Sequence, residues 1–270
     1  MQIIYKEEVD STQEELKRAL SLSMSENDAR KNAQKPSAPE STAKNALDTQ
    51  STFGAQESPE STAQDMQKSP NALESTAPES CAPALCIVAN RQTKGKGTRG
   101  NVWENQECAL MFSFSYLPPL RLPSDVPMQS MAIFLGFVIK ERLAARGSKV
   151  WLKYPNDLYI NDKKIGGILI EVWRGVLLCG VGINLKSSAF GELDILLDKN
   201  AFLVDLFDSL QNPPSWKQIF RKYEIEFCNN FPFAFHFGDE VISLKDAVLL
   251  EDGGLSVKGR VIYNTRNYRE

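Results

Sequence analysis

An α+β fold is the architecture this sequence supports, and three features carry it. Two apolar strands, residues 84–89 and 109–116, flank a glycine-spaced basic loop, so a sheet edge would hold that loop. Residues 150–184 read as an antiparallel meander with glycines inside its strands. Helical segments flank both, which predicts a mixed, largely antiparallel sheet with helices packed on it and a small β domain at the C-terminus.

In chain order, residues 2–5 read as a strand, and Asp10-Ser11-Thr12-Gln13 opens a helix through Leu20, with either Asp10 or Ser11 as N-cap. Composition then changes. Between residues 23 and 83 the chain repeats Pro-Glu-Ser-Thr-Ala at 39–43 and 59–63, echoed at 73–77, with Phe53 as the only aromatic residue. Such a stretch buries too little apolar surface to offset its ordering entropy and is expected to be a disordered insertion. One folded domain is accordingly predicted over 1–22 and 84–234, with a β cap over 235–270. Met128, Met131, Ala132, Leu135, Val138, Ile139 and Leu143 form a helical apolar face that stops at Gly147, a C-cap glycine. The meander follows, with turns at 154–157, 161–162 and Gly175. Helices around 201–210 and 216–229 precede the cap, in which Asp252-Gly253-Gly254 marks a turn.

The 270 residues carry 42% hydrophobic side chains and a net charge of −3, so any affinity for anions must be local. The five cysteines form no C-x-x-C pair, which suits a reducing cytosol. No apolar run reaches the ~18 residues that cross a bilayer. No leader opens the chain, and a cytoplasmic, unprocessed protein is expected.

Residues 90–103 concentrate charge and backbone freedom: Gly95, Gly97 and Gly100 alternate with Arg91, Lys94, Lys96 and Arg99, and Trp103 closes the run. Glycine amides and basic side chains together make an anion cradle, although a solvated basic turn has the same composition.

Taken in order, Asp10-Ser11-Thr12-Gln13, the segment from Gln92 to Trp103, Lys153-Tyr154-Pro155-Asn156-Asp157, Lys163-Lys164-Ile165-Gly166-Gly167 and Gly180-Val181-Gly182-Ile183-Asn184 resemble the ordered motifs of biotin protein ligases. The resemblance covers 1–20 and 84–185 and extends loosely into the cap. It implies a core like that of class II aminoacyl-tRNA synthetases, and formation of biotinyl-AMP from biotin and ATP. Transfer to a lysine of a biotin carboxyl carrier protein would follow. Positioning and positive charge at the α-phosphorus suffice for that chemistry, so no side-chain nucleophile is required.

On the same resemblance, Ser11, Thr12, Gln13, Gln92, Gly95, Lys96, Gly97, Thr98, Lys164, Gly166 and Gly167 would contact biotin. Lys96, Arg99, Trp103, Lys153, Asn156 and Asn184 would serve ATP, and Lys164, Asp157 and Lys96 would carry the chemistry. Without it, Ser11 and Thr12 read as helix caps, Trp103 as core, and Asn156 and Asn184 as turn residues. Mg2+ would arrive mainly on the phosphates of ATP, with no dedicated protein metal site. His236, the one histidine, is expected to be structural or at the surface.

One departure from the family pattern is Thr98, which stands where a second basic residue is common. Either Arg99 compensates or the adenylate is held less tightly. About ten residues precede the Ser11-Thr12 motif, so no DNA-binding domain and no operator binding are expected; a monomer and a homodimer both fit. A lipoate or octanoate transferase is the nearest alternative, and it would show an Arg-Arg-x-x-Gly-Gly segment and a histidine motif. A non-catalytic sensor would leave Lys164, Asp157 and Gln92 without a task.

Overall fold

The computed structural model describes residues 1–33, 83–238 and 240–263. Its centre is a seven-stranded sheet. Strands β1 (Gln2–Val9), β2 (Leu85–Gln92), β3 (Cys108–Ser115), β4 (Trp151–Lys153), β5 (Asp157–Ile160), β6 (Lys163–Trp173) and β7 (Val176–Lys186) take the order β1-β2-β3-β7-β6-β5-β4. Only β1 and β2 run parallel among these neighbours. A parallel pair cannot be joined by a tight turn, and helix α1 (Thr12–Ala33) starts the connection. It continues past the boundary read at residue 22, so residues 23–33 are helical. The rest of the expected insertion, 34–82, lies outside the described residues.

Side-chain parity along the strands gives the sheet two unlike faces. Phe112 and Phe114 of β3, Ile168 and Ile170 of β6, and Cys179, Val181 and Ile183 of β7 point to one side and enter the main core. There they meet helix α2 (Met131–Ala144), which is buried on nearly every side, as its continuous apolar sequence requires. Gly136 brings that helix close: a Cβ there would sit 2.8 Å from Leu152 and 3.2 Å from Ile168. Each large side chain buried here contributes about 1.5–3 kcal/mol.

On the opposite face, α1 lays Leu16 and Leu20 on Leu85, Ile87, Val176 and Leu178. Beyond this second cluster the same face carries small or polar residues: Ser113 on β3, Gly180 and Gly182 on β7, and Gly167 on β6, paired with Gly182. The patch formed by Ser113, Gly167, Gly180 and Gly182 has no bulky side chain of its own, and next to the helix N-terminus it leaves a hollow.

Helices α3 (Lys199–Gln211) and α4 (Trp216–Glu226) close the main core, capped by Asp198 and by a Ser215–Gln218 capping box. The expected C-terminal β part is present as a hairpin of β8 (Ala234–Phe237) and β9 (Glu240–Ser243) and a three-stranded sheet of β10 (Val248–Leu249), β11 (Leu255–Val257) and β12 (Arg260–Ile262). Phe235, Leu249, Leu255 and Ile262 belong to the main core cluster. The Asp252 carbonyl accepts from Ser130 Oγ at 2.6 Å, and the Glu251 carbonyl from Trp216 Nε1 at 2.6 Å.

Candidate active site

The hollow is a cavity lined by residues from all five sequence motifs: Ser11, Thr12 and Gln13; Gln92, Lys96, Gly97, Thr98 and Trp103; Asn156 and Asp157; Lys164 and Gly167; and Gly180 and Gly182. Residues far apart in sequence meet because α1 starts beside the end of β2 and over the glycines inside β6 and β7.

The cap reading holds for Ser11, and Thr12 is the first residue of α1 and lines the cavity. Ser11 precedes the helix and its Oγ accepts from the Gln13 amide at 3.3 Å, a capping contact. Thr12 turns its hydroxyl into the cavity, 2.8 Å from Ser113 Oγ. Gln92 Oε1 accepts from the Thr12 amide at 2.7 Å and from its hydroxyl at 3.2 Å, which ties the start of α1 to the end of β2.

Three groups in this region are buried without a partner among the described residues. Gln13 is 2% exposed, yet neither its amide oxygen nor its amide nitrogen is hydrogen-bonded. Its Oε1 lies where a Cβ on Gly180 would be, 2.7 Å away. The indole of Trp103 covers Gly182, and its Nε1 is unpartnered. Asn184 donates to the Gly191 carbonyl at 3.1 Å but leaves its Oδ1 bare. Each such group costs about 1–3 kcal/mol. Clustered orphans beside a cavity are the signature of groups that a ligand completes.

Charge sits on the opposite wall. Lys164 Nζ and Asp157 Oδ1 are 2.7 Å apart, across the register shift where β5 meets β6. Asn156 braces this turn, donating to the Ile168 carbonyl at 2.8 Å while its own carbonyl accepts from the Ile168 amide at 2.8 Å. Burial pushes the Tyr159 hydroxyl up to about 12, with the Asp157 charge adding to the effect. In the basic loop, Lys96 pairs with Glu14 at 2.5 Å. Burial acts to raise the Glu14 pKa, but hydrogen bonds from Lys96 and Lys17 outweigh it and hold the carboxyl below its usual range.

The loop itself is shaped by Gly95, where a Cβ would meet the Trp103 carbonyl at 2.7 Å, and by a one-turn 3-10 helix over Thr98–Gly100. The Arg99 side chain lies outside the described residues. A neighbouring concavity, shared with Trp103 and Lys164, holds Gly166, Asn184 and Phe190. Lys153 does not line either space: it is 7% exposed, with Nζ 5.5 Å from the Tyr159 ring and 5.9 Å from the Phe233 ring. His236 is exposed on β8. Ser113, Gly180 and Phe190 were missed as individual site residues. Ser113 had a signal, shared with Ser115: a hydroxyl inside a largely apolar strand.

Chemically, the cavity offers hydroxyls and an amide able both to donate and to accept, a floor of bare backbone, and two lysines for anionic oxygens.

The family model described as the biotin/lipoate A/B protein ligase family matches residues 62–188. The fold is similar to that of the biotin acetyl coenzyme A carboxylase synthetase of Helicobacter pylori, solved with bound biotinylated ATP. The TM-score is 0.70 and the identity 31%, over 97% of this chain and 99% of the other. The bifunctional ligase/repressor BirA of Bacillus spizizenii is 32% identical over 122 residues, 42% of this chain and 36% of that protein. Biotin–protein ligase 2 of Arabidopsis thaliana is 35% identical over 109 residues, 37% and 32% of the two chains. This chain therefore spans about a third of the length of these curated relatives.

Proposed function

This chain belongs to the biotin/lipoate A/B protein ligase family, and within it to the biotin protein ligases; on that premise we propose that it activates biotin with ATP and transfers it to a lysine of a biotin carboxyl carrier protein. A carboxylate oxygen of biotin attacks the α-phosphorus of ATP, the new P–O bond forms, the bond to the β-phosphate oxygen breaks and pyrophosphate leaves. The acceptor lysine, as free amine, then attacks the acyl carbon; the C–N bond forms, the bond from that carbon to the phosphate oxygen breaks, AMP departs with its electron pair, and the amine proton passes to solvent or phosphate.

The observation that carries this reading is the buried, unpartnered amide of Gln13 above Gly180. An amide both donates and accepts, as does the cyclic urea of biotin, so one group satisfies the other. Ser11, Thr12, Ser113 and Gln92 extend the same polar wall. A ligand anchored there runs past the indole that covers Gly182, along the Gly167 backbone, and brings its carboxylate to Lys164 and Lys96. Both lysines stabilise charge that grows at phosphorus, and Asp157 fixes where Lys164 points. Trp103, Asn156 and Asn184 are proposed to hold the nucleotide, with Arg99 near its phosphates.

Magnesium would enter on the nucleotide phosphates and offset their charge. Among the described residues no three His, Cys, Asp or Glu side chains gather, and Asp157 is the carboxylate at the cavity, so it would be the residue to meet a magnesium-bound water. A cytoplasmic location and a monomer or homodimer complete the proposal. Among the described residues no helix is long and apolar enough to cross a membrane.

The test is biotin-dependent ATP–pyrophosphate exchange with lipoate and octanoate as competing acids. Exchange with biotin alone is expected; exchange with lipoate would transfer the chain to the sister activity, and none with any acid would defeat the reading.

A further inference from the structure

Four charged side chains join three elements around the basic loop. Lys96 Nζ lies 2.5 Å from Glu14 Oε1, the same oxygen accepts from Lys17 Nζ at 3.1 Å, and Lys17 reaches Glu171 Oε1 on β6 at 2.6 Å. Lys96 lines the cavity, whereas Glu14 does not. Lys96 also borders the outer groove between the loop and β6, to which Glu171 belongs. Its ammonium group is thus held at the rim by a carboxylate from the first turn of α1.

We propose that Glu14 is an internal counter-anion that competes with the negatively charged substrate for Lys96, with Lys17 setting how strongly it competes. The proposal rests on the reading that Lys96 meets substrate phosphate or carboxylate. A lysine already paired at 2.5 Å has much of its field neutralised, so an incoming polyanion must displace Glu14 or share Lys96 with it. Glu14 does not then face water alone, because Lys17 stays within 3.1 Å and takes up its charge. The network therefore makes the exchange inexpensive: one lysine releases the carboxylate while the other keeps it. Glu14 is a positioning residue for Lys96, and its effect falls on substrate binding and not on the chemical step.

Two variants move in opposite directions. Glu14→Gln removes the competitor and lowers the KM for ATP and the Kd for inorganic pyrophosphate about two- to fivefold, the size of one partly exposed ion pair, with kcat nearly unchanged. Lys17→Gln leaves Glu14 with Lys96 alone, tightens that pair, and raises both constants by a similar factor; the double variant follows Glu14→Gln. Glu14→Asp retains the competing charge and stays near wild type. Pyrophosphate binding by calorimetry needs no turnover, so the assay survives failure of the proposed activity. If Lys96→Gln does not weaken pyrophosphate binding, the premise about Lys96 is wrong. If Lys96→Gln weakens it while Glu14→Gln leaves it unchanged or weakens it too, the premise stands and the competition is refuted.

Discussion

Trp103 lies flat enough on Gly182 that a Cβ at that glycine would stand 2.5 Å from its Cζ2 and 2.7 Å from two further ring atoms. The contact joins the end of the basic loop to the middle of β7, and it fixes the loop because Gly95 grips the same residue by its backbone. The Trp103 amide donates to the Gly95 carbonyl at 2.9 Å. Gly182→Ala must therefore lift the indole off the sheet. Activity in pyrophosphate exchange is expected to fall about 100-fold, the usual cost of misplacing a site by about 1 Å. Thermal stability should change little, because Trp103 belongs to neither core cluster.

Gln13 separates stability from function. Its amide is buried and unpartnered among the described residues, so Gln13→Leu, close in volume, should stabilise the ligand-free protein by about 1 kcal/mol. Biotin at about 100 times its Kd should raise wild-type stability by about 2.7 kcal/mol, and that increment should vanish in the variant. Differential scanning calorimetry with and without biotin reads both numbers. A variant that still responds fully to biotin would remove Gln13 from the site.

The elements were legible where local pattern decides them: the meander, the α2 apolar face, the C-cap glycine at 147 and the hairpin-turn glycine at 175, both with positive φ. The faces were not. Gly167 and Gly182 become a cavity floor only because β6 and β7 pair them across the sheet, and no local window contains that register. Glu14 reads in sequence as an acid suited to the positive end of a helix dipole; its proximity to Lys96, 82 residues away, exists only in space. For α1 the composition misled. The serines after Leu20 signalled an end to ordered structure, yet Ser21 and Ser25 bond back to the carbonyls of Lys17 and Ser21 and the helix goes on.

Lys164 and Asp157 should be unequal in effect. Lys164→Gln removes the positive charge nearest the reacting carboxylate and should lower pyrophosphate exchange by about 100- to 1,000-fold. Lys164→Arg should not restore it, because a planar fork places its charge and donors differently from a compact ammonium group paired with Asp157. Asp157→Asn keeps the lysine but loosens its aim, and a smaller loss in kcat is expected. Equal losses in the two variants would mean that Asp157 does more than orient its neighbour.

Thr98 offers the last test, of how long the activated intermediate stays. It lines the cavity as the first residue of the short 3-10 turn, and brings a hydroxyl where the family resemblance leads one to expect a second positive charge. A neutral side chain gives up a charge-assisted bond to phosphate, which is about twice as strong as a neutral one. Thr98→Arg should therefore slow dissociation of biotinyl-AMP about tenfold, a difference of about 1.4 kcal/mol. Release of labelled adenylate from a pre-formed complex, chased with unlabelled biotin and ATP, measures it directly. An unchanged rate would mean that the basic side chains already flanking Thr98 supply the missing charge, and that retention in this chain depends on the loop as a whole.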